Sequence, residues 1–132
     1  MIVDTSALLA VLQSEPEAGA VLAALGEAET VAISAATLIE ASIVADGSRE
    51  PVRSARFDAF VDALAAEVVP VDATQVAIAR RAYRDYGRGS QHPARLNFGD
   101  CFAYALATVR REPLLFVGDD FTHTDIASAL AG

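Results

Sequence analysis

The sequence contains no lysine; all ten of its basic residues are arginine. That absence excludes P-loop kinases, whose lysine reaches the phosphates, and Schiff-base enzymes, which need an amine nucleophile. Cysteine is nearly absent. The single Cys101 permits no intrachain disulfide, which fits a reducing cytoplasm, and with no base beside it in sequence it reads as a small buried filler. The two histidines, His92 and His123, are lone and far apart, so no zinc spacing exists and both read as loop or surface residues. No apolar run approaches the ~18 residues of a membrane-spanning helix. Asp4 interrupts the first apolar run and no basic residue precedes it, so no signal peptide is expected. The expectation is a soluble cytoplasmic protein without membrane association.

What is present is a hydrophobic chain with an acidic surplus. At 132 residues it is expected to form one domain spanning 1–132. Its hydrophobic content of 53% and mean hydropathy of +0.33 are high for a monomer of this size. A small sphere cannot hide that much apolar surface, so part of it is expected to face a second subunit or another partner. The net charge of −8 is a poor starting point for a protein that grips nucleic acid.

Short apolar runs alternate with amphipathic stretches. Strands are expected at Met1–Val3, Val31–Ile33, Val68–Val71 and Leu114–Val117. Thr5 or Ser6 is expected to cap a helix through Gln13, and Pro16 to open a second. Ser34 caps a helix to about Ala45, Pro51 opens one to about Glu67, and Asp72 caps one ending at Gly87. Residues 88–97 read as a loop, Gly99–Arg111 as a helix, and Thr122–Leu130 as a closing helix. The alternation predicts an α/β fold: a central parallel sheet of about four to five strands flanked by helices.

Most of the eighteen acidic residues serve solubility, and a few do not fit that role. Asp4 is the only charge in the first fourteen residues and ends a strand, where open α/β sheets place ligands; a helix-cap role is the alternative. Glu40 has Ala36, Thr37, Ile43 and Val44 three and four residues away. It either keeps its tip in water or needs an arginine or a metal beside it. Asp100 sits in a helix first turn, where an anion is favoured in any case. Asp119 and Asp120 follow the last strand at its carboxyl edge. Carboxylates drawn together repel unless a cation neutralises them, and all-oxygen ligands suit Mg²⁺, with Mn²⁺ also possible.

The opening Met1-Ile2-Val3-Asp4-Thr5-Ser6-Ala7-Leu8 resembles the start of PIN domains, VapC toxins in particular. Glu40 in its apolar helix adds to the likeness, as do Leu96-Asn97-Phe98-Gly99-Asp100-Cys101 and Leu114-Leu115-Phe116-Val117-Gly118-Asp119-Asp120-Phe121, followed by Thr124-Asp125. The ordered set covers nearly the whole chain. The resemblance implies a Mg²⁺-dependent endoribonuclease, the toxin of a VapBC-type toxin–antitoxin module, hydrolysing RNA phosphodiester bonds with a metal-activated water. By likeness the site is Asp4, Glu40, Asp100 and Asp120, with Asp119 able to replace or assist Asp120. Asp4 and Asp100 are then the principal ligands, and Glu40 a ligand or the group orienting the water. Thr5 or Ser6 would position water or a substrate phosphate. The likeness also implies a VapB-type antitoxin and a homodimer.

The charge objection has a local answer. Arg80, Arg81, Arg84, Arg88 and Arg95 lie within one short segment against a single acid, Asp85, with Tyr83 and Tyr86 among them. Arg81, Arg84 and Arg88 share a helical face, expected to bind RNA phosphates, while Ala79, Ala82, Tyr83 and Tyr86 can face the core. A solvated helix flank is the plainer reading. Salt screens charges more than ~8 Å away, so a local patch can serve an acidic protein. Receiver domains require a lysine, and dehalogenase-like phosphatases an Asp-x-Asp after the first strand, where this chain has Asp4-Thr5-Ser6. Two alternatives stay open: a non-catalytic PIN-fold interaction module, and a PIN-like DNA or structure-specific nuclease.

Overall fold

The computed structural model describes residues 1–130. Four short strands, β1 (Ile2–Val3), β2 (Ala32–Ser34), β3 (Glu67–Val69) and β4 (Leu114–Leu115), form one sheet in the order β3-β2-β1-β4. Every pairing is parallel, with Ile2 opposite both Ala32 and Leu114, Val3 opposite Leu115 and Ile33 opposite Val68. Parallel strands need crossovers, and helices supply them: α1 (Thr5–Leu12), α2 (Ala18–Glu27), α3 (Ala35–Gly47), α4 (Pro51–Leu64), α5 (Ala73–Tyr86) and α6 (Phe98–Arg110).

Alternate strand residues point to opposite faces, and both faces are covered. Ile2, Ala32 and Leu114 pack with Ala82, Ala103, Leu106, Phe116 and Phe121 on the α5–α6 side. Val3, Ile33 and Leu115 pack with Leu8, Val21, Ala41 and Phe57 on the α1–α4 side. Burial on both faces is why β1, β2 and β4 read as apolar runs, whereas the edge strand β3 leaves Glu67 and Val68 exposed.

Strand order places the site. From β1 the chain winds to β2 and β3 on one side, then crosses back to set β4 on the other. The crevice where that direction reverses, outside the carboxyl ends of β1 and β4, is where open α/β sheets bind ligands. Asp4 follows β1 directly, and its N–H bonds Leu115 O of β4 at 3.0 Å.

Local rules account for most element ends. Ser34 caps α3 through the N–H of Ala36, Pro51 occupies the first turn of α4, and Asp72 caps α5 through the N–H of Gln75. Several expectations need correction. Helix α2 begins at Ala18 with Glu17 at its cap position, so Pro16 precedes it, and α5 ends at Tyr86, so Arg88 lies in the following turn and not on a helical face with Arg81 and Arg84. The cap of α1 is Asp4, not Thr5 or Ser6, because its carboxylate accepts the Ser6 N–H. Thr122–Leu130 is not a helix: Leu114 N–H bonds Ala127 O and Ala129 N–H bonds Leu114 O, so the segment lies beside β4 in a one-residue bridge. Pairing with a strand edge outcompetes the helical pattern there. Tyr83 is also not a core residue, being 44% exposed, whereas Ala82 and Tyr86 do pack inward.

Candidate active site

Asp4 is 4% exposed and Asp100 7%, which is unusual burial for aspartate. Hydrogen bonds account for part of it. Asp4 accepts from Ser6 N at 3.1 Å and Ser6 Oγ at 2.7 Å, and Ser6 Oγ in turn accepts from Val117 N at 3.0 Å. Ser6 therefore ties the carboxyl ends of β1 and β4 together. Asp100 forms a reciprocal capping box with Asn97: Asn97 N donates to Asp100 Oδ2, and Asp100 N donates to Asn97 Oδ1, both at 2.9 Å.

Glu40 enters from α3. Thr5 Oγ1 donates to Glu40 Oε1 at 2.6 Å, so the compensation lacking on α3 itself comes from a hydroxyl of α1. The apolar neighbours Ile39 and Ile43 are exposed, so Glu40 is not sunk in an apolar face as its sequence surroundings suggest. Its carboxylate lies over the α-carbon of Gly99: a Cβ there would come within 2.7 Å of Glu40 Cδ. Glycine at 99 is the space into which Glu40 fits.

Burial pushes the Asp4 carboxyl up to about 6, and Glu40 adds to the rise while the Ser6 bonds oppose it. Burial likewise pushes Asp100 up to about 7, and the charges of Asp4 and Asp120 raise it further against the Asn97 bond. Of the two aspartates after β4, Asp120 is the one that acts on Asp100. None of Asp4, Glu40, Asp100 or Asp120 takes part in a salt bridge among the described residues. Asp4, Glu40 and Asp100 form a negative cluster, each held by neutral donors.

A hard cation fits this donor set, since carboxylates and hydroxyls are its only ligand types. The acids do not form a finished cage: among the described residues no three His, Cys, Asp or Glu are grouped to hold a metal. Mg²⁺ does not require one, because it keeps several waters and is bound through one or two carboxylates plus substrate phosphates.

The remaining expected residues are dispersed. Thr5 and Ser6 are engaged in positioning Glu40 and Asp4. Arg84 pairs with Asp85 at 3.2 Å on the surface, while Arg88 lines a cleft with Asp120. Cys101 is buried and its thiol is pushed up to about 11 by burial, as befits an inert filler. Sequence reasoning missed the roles of Gly99 and Asn97. The spacing Asn97-x-x-Asp100 was a legible signal for the cap; nothing local announces that Glu40 meets Gly99.

A parallel sheet with buried Asp4 and Asp100 at the carboxyl ends of its strands defines the class: an open α/β domain with acidic residues at its switch point. The PIN domain family model matches residues 1–127, and the chain belongs to the PIN-domain family, among the VapC ribonucleases. It is 51% identical over 130 residues to VapC ribonuclease Mb0625 of Mycobacterium bovis and to ribonuclease VapC28 of Mycobacterium tuberculosis, covering 98% of each chain. Among solved structures it is similar to Mycobacterium tuberculosis VapC20, a Sarcin-Ricin loop cleaving toxin. That match has TM-score 0.71 and 17% identity, covering 96% of this chain and 95% of that one. It is also similar to a chain of a toxin–antitoxin complex from Klebsiella pneumoniae, with TM-score 0.70 and 18% identity over 94% and 92% of the two chains.

Proposed function

We propose that this chain is the Mg²⁺-dependent endoribonuclease toxin of a VapBC-type pair, with Asp4, Glu40, Asp100 and Asp120 as its working acids. The observation that carries the reading is the pair Asp4 and Asp100: buried, mutually repelling and without a basic partner. Uncompensated buried charge is costly, and a cation removes that cost. PIN-domain ribonucleases are metal-dependent in general.

Asp4 and Asp100 would hold the ion, with Asp120 approaching from the β4 side. Mg²⁺ held there would supply a lower pKa for water and stabilisation of charge on the phosphoryl and leaving oxygens. Ser6 fixes the Asp4 carboxylate, and the Asn97 capping box fixes Asp100, so neither acid must reorganise when the ion or the substrate arrives. Thr5 holds Oε1 of Glu40, leaving Oε2 to accept a proton from water or to orient it.

Exposed apolar residues support the partner reading. Phe98 is 77% exposed beside Val76 and Tyr83 in a groove between α5 and α6, and Ile39, Ile43 and Val44 form a second apolar face on α3. Patches of this kind suit a homodimer contact and a VapB-type antitoxin. Parallel digests of RNA and DNA, each in Mg²⁺ and in EDTA, test the activity. RNA cleavage abolished by EDTA is expected; equal cleavage of DNA would favour a structure-specific nuclease instead.

A further inference from the structure

The segment between α5 and α6 is tied at its neck and folded to a fixed shape. Gly87 and Leu96 form a bridge, Leu96 N–H bonds Tyr86 O at 2.8 Å, and Arg88 N–H bonds Leu96 O at 3.1 Å. Within the loop, Ser90 Oγ donates to Gly87 O at 2.6 Å, and Ala94 N donates to His92 Nδ1 at 3.1 Å. Gln91 and Arg95 hold left-handed backbone, with φ of 64° and 53°, a conformation that non-glycine residues keep only when their surroundings enforce it. The His92 ring stands edge-on to Tyr86 at 4.9 Å, and Tyr86 contacts Tyr104 of α6 at 5.9 Å. This is a braced loop.

What it presents is a cleft of about 610 Å³ lined by Arg88, Gln91, His92, Pro93, Arg95 and Asp120. That size falls within the roughly 300–1,000 Å³ typical of ligand sites. The wall carries two guanidinium groups against one carboxylate, in a chain whose net charge is −8. Neither Arg88 nor Arg95 has a salt-bridge partner among the described residues, whereas Arg84 pairs with Asp85 and Arg110 with Glu67. Because His92 Nδ1 accepts from Ala94, the neutral ring carries its proton on Nε2 and offers a donor there. Asp120 belongs to this cleft and also acts on Asp100, so the basic cleft adjoins the acidic cluster.

We propose that the 87–96 loop is the RNA-backbone clamp of this enzyme, Arg88 and Arg95 gripping phosphates that flank the scissile one while His92 donates a hydrogen bond from Nε2. The clamp rests on the nuclease reading above and replaces the Arg81–Arg84–Arg88 helix face as the phosphate site. An acidic protein can then hold a polyanion: the cation answers the scissile phosphate, and the loop answers its neighbours. Bidentate guanidinium donors suit such phosphates.

The test is anisotropy of a short fluorescein-labelled single-stranded RNA titrated across a salt series in EDTA, where a metal-dependent nuclease does not turn over. Arg88→Gln with Arg95→Gln should weaken binding at least about tenfold. It should also lower the salt slope by roughly 1.4, about 0.7 for each lost phosphate contact. His92→Asn, whose amide can still accept from Ala94, should weaken binding with the slope unchanged. Arg81→Gln with Arg84→Gln, on the helix face the clamp replaces, should bind as wild type. Mg²⁺-linked thermal stabilisation should persist in all these variants, showing the acidic pocket intact. Wild-type slope and affinity in the Arg88/Arg95 variant would overturn the clamp alone. A wild-type chain that binds no RNA and gains no stability from Mg²⁺ would overturn the nuclease reading with it.

Discussion

The carboxylate of Glu40 occupies the space a side chain at Gly99 would fill, 2.7 Å separating Glu40 Cδ from the position of a Cβ. One helix thus receives the acid of another, and the backbone of α6 sets where that acid stands. Gly99→Ala gains up to ~1 kcal/mol of helix propensity, yet it displaces the Glu40 carboxylate. RNA cleavage should fall on the order of 10²-fold while the melting temperature stays near that of wild type. Steady-state rates beside a thermal melt check this; loss of both together would mean a packing role only.

Thr5 holds the same carboxylate from the other side, at 2.6 Å. Thr5→Val keeps the shape and removes the donor, so it should cost about 1 kcal/mol of stability and lower kcat. Thr5→Ser should restore most of both. Equal behaviour of the two variants in a turnover assay would remove the hydroxyl from the account.

The pH dependence has a definite sign. Asp4 and Asp100 titrate higher in the fold than in the unfolded chain, at about 6 and about 7, owing first to burial. The metal-free fold therefore binds more protons than the unfolded chain between about pH 4 and about pH 7. Their contribution to stability is complete below about pH 4 and is lost as pH rises through the folded values. Melting temperature in EDTA should decline on this account between pH 5 and pH 7.5, and Mg²⁺ should recover more of it at the upper end, since the ion competes with protons. Melts across pH with and without Mg²⁺ decide the matter; a rise toward neutrality in EDTA would contradict it.

Tyr104 Oη donates to Asp125 Oδ1 at 2.6 Å and so anchors the segment after β4, which carries Asp120, to α6. Tyr104→Phe should cost about 1 kcal/mol and weaken the apparent Mg²⁺ affinity, because Asp120 is less firmly placed. Mg²⁺ titration followed by melting temperature reads both effects. An unaltered Mg²⁺ response would separate the anchor from the site.

Much of this was legible in the sequence because it rests on local rules. Asp4 marks the end of an apolar run, and Ser34 and Asp72 read as helix caps, by rules that need only neighbouring residues. The placement of Asp4 at a strand end, and the run of alternating elements, carried the fold and the acids together. Where sequence reasoning fell short, a distant partner decided. Thr122–Leu130 has a helical pattern, but the edge of Leu114 claims its backbone. Tyr83 and Tyr86 differ by less than one helical turn, yet only Tyr86 packs against the core, while Tyr83 lies on the open groove between α5 and α6. Glu40 is accommodated by Thr5 and Gly99, residues 35 and 59 positions away. His92 and Arg95 gain meaning only once their loop is seen beside Asp120.

The central claim is that Asp4 and Asp100 hold a cation that cuts RNA. Its most direct test is cleavage of total RNA by the purified chain, free of any antitoxin, in Mg²⁺, in EDTA and beside Asp100→Asn. Asparagine keeps an oxygen for the Asn97 capping box while removing the charge, so the fold is retained. The account predicts discrete products in Mg²⁺ that vanish in EDTA and in the variant. Products that persist in EDTA, or in a folded Asp100→Asn chain at the wild-type rate, would contradict it.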